Sequence, residues 1–329
     1  MRHRARSVRF IRVFLTAVGT LMVLGCTEAA ETEETSDGES TASPGGTGNG
    51  TATVQTGFGA VLVGEGTVST SVGEAFPYPD PAGNALYFSV VVDENWQHQR
   101  LVVAREMGDG WGQPEGLAFS ADRQYSDRAP RLSPDGLRMV FTSNRPIPGR
   151  DPDPDDFNLW LVDRAGPGAA WSQARPLSER VNSTSREIHA SMTSDGSLYF
   201  ASARPGGQGR SDIYHARWLD GDYGPAESIG APINTELSQP DLMVAADGSM
   251  MILVITDHPS GLGGDDLYVS RWVNGSWTEP RNLGPSVNTP EYEYGPALSP
   301  DGRFLYFTSH RSGEGDTYRI AVSELNLDR

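Results

Sequence analysis

The chain has 329 residues, a formal net charge of −17, one cysteine, and only arginine among its 26 basic residues. The acidic balance argues against nucleic acid as a partner and against electrostatic docking on anionic lipid. The absence of lysine excludes Schiff-base chemistry and a P-loop, and the lone cysteine excludes internal disulfides, cysteine zinc sites and iron–sulfur clusters.

Residues 1–25 read as an export signal. Arg2, Arg4, Arg6, Arg9 and Arg12 form a basic stretch, and an apolar run follows from Val13 to Leu24. That run is shorter than the roughly 20 residues a membrane-spanning helix needs. It ends in Val23-Leu24-Gly25-Cys26, which resembles a bacterial lipobox. The resemblance implies lipidation of Cys26, and Thr27 in place of Asp implies the outer membrane. Residues 26–56 interleave Glu28, Glu31, Glu33, Glu34, Asp37 and Glu39 with Thr, Ser and Gly. So little apolar surface cannot offset the entropy of ordering, and the segment is expected to be a disordered acidic tether.

Residues 57–329 repeat. An Asp-Gly turn recurs at Asp135-Gly136, Asp195-Gly196, Asp247-Gly248 and Asp301-Gly302, with an eroded copy at Asp80-Pro81-Ala82-Gly83. The period is about 50 to 60 residues, a propeller's spacing. Within the unit 182–229, a strand over 188–192 precedes the turn, and the apolar run 198–202 follows it. A Gly-rich loop leads to the alternating strand 212–218, and 223–229 makes a fourth, outer strand. The other outer strands open on an aromatic residue and a proline, as in Trp111…Pro114, Trp171…Pro176 and Trp277…Pro280; proline is tolerated at a blade edge. The fifth unit lacks a fourth strand at its end. Ala60-Val61-Leu62-Val63-Gly64 is available to supply it, so the predicted fold is all-β: a five-bladed β-propeller of four-stranded antiparallel blades, closed by an N-terminal strand. A six-bladed ring would need another unit in 26–56, whose composition is wrong for one.

Ser133-Pro134-Asp135-Gly136 and Ser299-Pro300-Asp301-Gly302, the triplets Ser143-Asn144-Arg145, Ser202-Ala203-Arg204 and Ser309-His310-Arg311, and the Asp-x-Tyr third strands make the repeat similar to the TolB-like, WD-like propeller repeat. The resemblance spans about residues 60–325. It implies a binding or scaffolding module of the bacterial envelope, and it is specific for fold rather than function.

Nine residues before each turn glycine stand Glu74, Asp127, Glu187, Gln239 and Glu293. Their shared register is expected to place them at one end of the central channel, where such a ring can hold a cation or recognise hydroxyl-rich or cationic ligands. Arg145, Arg204 and Arg311 end the second strands of three units, and the expected use of those acids is structural pairing with them. His189 is a further channel candidate. The insertion 151–156, alternating Asp and Pro, reads as a solvated loop, and the Gly-rich loops at 204–211, 260–265 and 312–315 read as hairpins needing positive φ. No catalytic residue, metal site or cofactor is assigned. The expected function is that of a monomeric, lipid-anchored envelope lipoprotein, periplasmic or surface-facing, whose propeller binds a protein or glycan partner. The alternative is a glycoside hydrolase or lyase using the channel carboxylates.

Overall fold

The structure, a computed structural model, describes residues 59–93 and 96–327. The export signal, Cys26 and the tether lie outside the described residues. Among the described residues no helix is long and apolar enough to cross a membrane. Five antiparallel meanders stand around one axis. Their innermost strands are Glu74–Pro79, Asp127–Leu132, Glu187–Met192, Leu242–Val244 and Glu293–Leu298. Second strands are Ala85–Val91, Arg138–Ser143, Leu198–Ser202, Met250–Thr256 and Phe304–Ser309; third strands are Gln99–Met107, Asn158–Asp163, Asp212–Ala216, Asp265–Val273 and Asp316–Ala321. The Asp-Gly turns join first to second strands at one end of the axis, called here the turn end. The opposite end is the loop end.

The ring closes as the sequence predicts. Val61–Leu62 pairs antiparallel with the third strand of blade five, Val61 opposite Arg319 and Leu62 opposite Tyr318. Val63 N–H continues the ladder to the Thr317 carbonyl, 2.9 Å away. The core lies between blades. Phe200, Leu198 and Tyr223 of blade three, for example, pack with Val140 and Leu159 of blade two, and each such buried side chain is worth about 1.5–3 kcal/mol relative to exposure.

The outer strands differ from the expectation of one continuous strand. In blades one, three and four each is broken where its proline falls, because proline cannot donate to the ladder, whereas in blade two Pro176 stays within the paired strand opposite Trp160. In blade one, Gly110–Trp111 forms a tight hairpin with the end of the third strand, Pro114 interrupts, and Glu115–Gly116 then pairs with Val102 and Val103. Blades three and four repeat this with Tyr223 and Trp277 in the hairpin and Glu227–Ser228 and Arg281–Asn282 beyond the proline.

Asparagine takes over where the outer ladder ends. Asn182 Oδ1 accepts from Leu159 N–H at 2.9 Å while its Nδ2 donates to the Leu159 carbonyl at 2.9 Å. Asn234 does the same to Ile213, and Asn288 to Leu267. In blade five the clamp is a hydroxyl, because Ser69 Oγ accepts from Thr317 N–H at 3.1 Å and reaches the Thr317 carbonyl at 3.3 Å. The residue that closes the ring therefore precedes blade one in sequence.

The glycine loops meet the expectation only in part, Gly206 and Gly313 having φ of 94° and 115°. Gly207, Gly209, Gly261 and Gly263 do not have positive φ. Close neighbours explain them: a Cβ on Gly209 would lie 1.8 Å from the Leu237 carbonyl oxygen and one on Gly263 2.1 Å from that of Glu291, while Cβ atoms on Gly207 and Gly261 would meet the Asp212 and Asp266 carboxylates. These loops fold over the aspartate that starts the third strand, with Gln208 and Gly209 N–H groups donating to Asp212 and those of Leu262 and Gly263 to Asp266.

Candidate functional site at the propeller axis

Three layers of side chains follow one another along the innermost strands. The first, at the loop end, holds Glu74, Asp127, Glu187, Gln239 and Glu293. All five are at most 2% exposed and turn onto their own blade or the segment leading into it, so they do not stand in open channel water. Glu187 accepts from Ser183 N–H and Oγ–H, from Ser202 Oγ–H and from Arg204 at 3.1 Å. Glu293 repeats this with Thr289 and Ser309, and Arg311 stands 3.6 Å away. Asp127 meets Arg145 at 2.5 Å. Glu74 has Thr70 N–H and Oγ–H at 2.9 and 2.6 Å, with Val90 opposite it where other blades carry serine. Burial raises the pKa of Glu74, Asp127 and Glu187, with the hydroxyl bonds and Arg145 or Arg204 opposing it.

Two residues further on, four innermost strands bulge. Phe76, Ala129, His189 and Gly295 have φ of 57°, 53°, 49° and 68°, a region costly for residues other than glycine. The bulges are held across blades: Phe76 N–H donates to Thr308 Oγ1, Ala129 N–H to Ser89 Oγ and His189 N–H to Thr142 Oγ1. Blade four, with Val254 and Ile255 in that part of its second strand, offers no hydroxyl to blade five. Asp241 substitutes, its Oδ2 accepting from Gly295 N–H at 2.6 Å and its Oδ1 from Leu242 N–H at 2.8 Å.

A carboxylate is thereby brought to the buried centre, where Arg131 and His189 stand beside it. Arg131, fully buried in the third layer, donates from Nη2 to Asp241 Oδ1 at 3.4 Å. His189 Nδ1 is 3.8 Å from the same oxygen but 2.8 Å from the Pro240 carbonyl. A carbonyl can only accept, so Nδ1 carries the proton. Burial lowers the His189 pKa, with Asp241 opposing it. Phe76 packs on the His189 ring at 4.6 Å and on Tyr294 at 5.1 Å, so the axis is filled at mid-depth. His189 is at the axis, as its register implies. Asp241, Arg131 and Phe76 carry no repeat signature and escape sequence reading.

The two mouths differ. At the turn end all five blades line a cavity of about 360 Å³ that includes Tyr78, Pro134, Met192, Met243 and Pro300. At the loop end a hollow of about 260 Å³ is lined by Arg186, Arg210, Ser211, Ser238 and Pro240, and another of about 430 Å³ by Val72, Val92, Asp93, Trp96 and Glu314. Arg128 links the two sides: its Nη2 donates to the Gln97 carbonyl at 3.3 Å, and its guanidinium lies 4.0 Å from the centre of the Phe157 ring, which Arg186 also overlies at 5.3 Å. Burial, with Arg186 nearby, pushes the Arg128 pKa down to about 10. The 151–156 insertion forms an exposed turn in which Asp153 accepts from Asp155 N–H.

No protein-family model matches the chain, and no curated protein matches it. Solved structures do. TolB from Acinetobacter baumannii is similar at 16% identity and a TM-score of 0.48, over 81% of this chain and 61% of that one, so the chain spans less than two thirds of its length. A putative TolB from Agrobacterium tumefaciens matches at 16% identity and a TM-score of 0.46, over 74% of this chain and 72% of that one. An endo-arabinase from Bacteroides thetaiotaomicron matches at 14% identity and a TM-score of 0.53, over 78% and 96%. At such identities the likeness is one of fold, shared by proteins of unlike activity. The chain is a five-bladed β-propeller.

Proposed function

We propose that this chain is a monomeric binding module of the cell envelope, lipid-anchored in the outer membrane through Cys26, and that the loop-end mouth of its propeller holds a protein or glycan partner. The observation that carries this reading is the fate of the repeated carboxylates. Glycosidic or lyase chemistry at this end would need two of them presented to substrate in different protonation states. Instead each is buried in bonds made by its own blade, and the mouth presents arginine and aromatic side chains.

Val61–Leu62 runs from the turn end toward the loop end, and Gly59 N–H donates to Glu324 at the turn-end rim. The described residues therefore begin at the turn-end rim, opposite the loop-end mouth. The test is a screen of the full chain in detergent against envelope glycans and envelope proteins, scored for saturable binding and for turnover. The expected outcome is binding without turnover, unchanged in Glu74→Gln and Glu187→Gln. Turnover that Glu74→Gln abolishes would replace this reading with the hydrolase or lyase.

A further inference from the structure

Arginines gather at the loop-end mouth of a chain whose net charge is −17. Arg186 and Arg210 are exposed and line one hollow, and neither makes an ion pair among the described residues. Arg128 stands beside them, sharing the Phe157 ring with Arg186. Its hydrogen bonds go to the Gln97 carbonyl and Ser126 Oγ, and its buried Nε has no hydrogen-bond partner. Two acids line the neighbouring hollow: Asp93 is taken by His98 at 2.9 Å, and Glu314 accepts from Trp96 Nε1–H at 3.4 Å. Three guanidinium groups held together without carboxylate partners repel one another and form a region that favours an incoming anion.

The same mouth carries an aromatic surface. Gln97, which Arg128 holds, follows Trp96. The Trp96 ring lies 5.3 Å from His310, and His310 in turn lies 6.0 Å from Tyr292 and 5.7 Å from Tyr294. Tyr292 is 51% exposed. Flat, partly exposed rings beside unpaired guanidinium groups suit a ligand with both an apolar ring face and an anionic substituent.

Taking the binding-module reading as its basis, we propose that the loop-end mouth is a site for an acidic glycan: Arg128, Arg186 and Arg210 receive a sulfate or carboxylate, and Trp96 and Tyr292 pack against sugar rings. A purely acidic peptide such as polyglutamate would supply the charge but no ring faces for Tyr292.

The test measures equilibrium binding of the full chain in detergent to dextran sulfate, to uncharged dextran and to polyglutamate, at two salt concentrations. Dextran sulfate is expected to bind at least about tenfold more tightly than either of the others, and more weakly as salt rises. Arg186→Gln combined with Arg210→Gln is expected to weaken it about tenfold and to flatten the salt dependence; Tyr292→Ala is expected to weaken it several-fold. These side chains are exposed, so thermal unfolding should be unchanged, which separates a lost site from a lost fold. Polyglutamate binding as tightly as dextran sulfate, or a double arginine variant that binds as the parent does, overturns the proposal. Either result leaves the binding-module reading to its own screen, which reads a partner or turnover and not this anion.

Discussion

Asp241 shows how one substitution in a repeat propagates. Where the preceding blade offers Ser89, Thr142 or Thr308, a hydroxyl holds the next bulge. Blade four offers none, so a carboxylate is used, and the buried Arg131 is its counter-ion. Asp241→Asn leaves the Arg131 charge without its counter-ion and is expected to destabilise the fold by about 3–5 kcal/mol, measured by urea unfolding at pH 7. Replacing both, with Arg131→Met, is expected to recover much of that loss. His189 makes the same centre pH-sensitive. Its folded pKa lies below the usual histidine value of 6.5, so the unfolded chain binds the proton more readily. Stability should therefore fall as the pH drops from about 7 to 5, and His189→Gln should reduce that slope without abolishing it, because burial lowers the His215 pKa too. Glu74, Asp127 and Glu187 act in the opposite sense: with folded pKa values raised, their contribution to stability declines as pH rises through them.

At the scale of the strand and loop, the repeat was readable wherever a residue type recurs in register. The Asp-Gly turns, the Arg145, Arg204 and Arg311 positions and the five-residue register of Glu74 to Glu293 are legible because each unit restates them. The asparagine clamp was also restated, as Asn182-Ser183, Asn234-Thr235 and Asn288-Thr289, and a motif search on those pairs would have found it. What could not be read was the crowding at Gly209 and Gly263, which comes from the backbone of the segment entering the next blade, and the broken outer strands, whose pairing depends on where a hairpin tip falls. Asn234→Ala is expected to cost about 1–3 kcal/mol in urea unfolding, because it strands the N–H of buried Ile213, whose carbonyl keeps the Ile229 N–H at 3.1 Å. A loss under about 1 kcal/mol would show that the clamp is incidental.

For the molecule as a whole, every functional statement depends on five blades sharing one axis. Only closure between the first described residues and blade five makes Phe76 a neighbour of Tyr294, or Trp96 a neighbour of His310. The far-separated pairs that bear this include Val63 with Thr317, Ser69 with Thr317, Glu74 with Gly315 and Phe76 with Thr308. The direct measurement is amide hydrogen exchange at Val63, Phe76 and Thr317 in the intact chain, compared with a variant carrying Val63→Pro. A closed ring predicts that all three exchange as slowly as the amides of Leu253 and Phe307 in central strands, and that the variant speeds exchange throughout blade five. Rapid exchange at Val63 and Thr317 in the intact chain, with blade five protected regardless, would contradict closure and the shared axis with it.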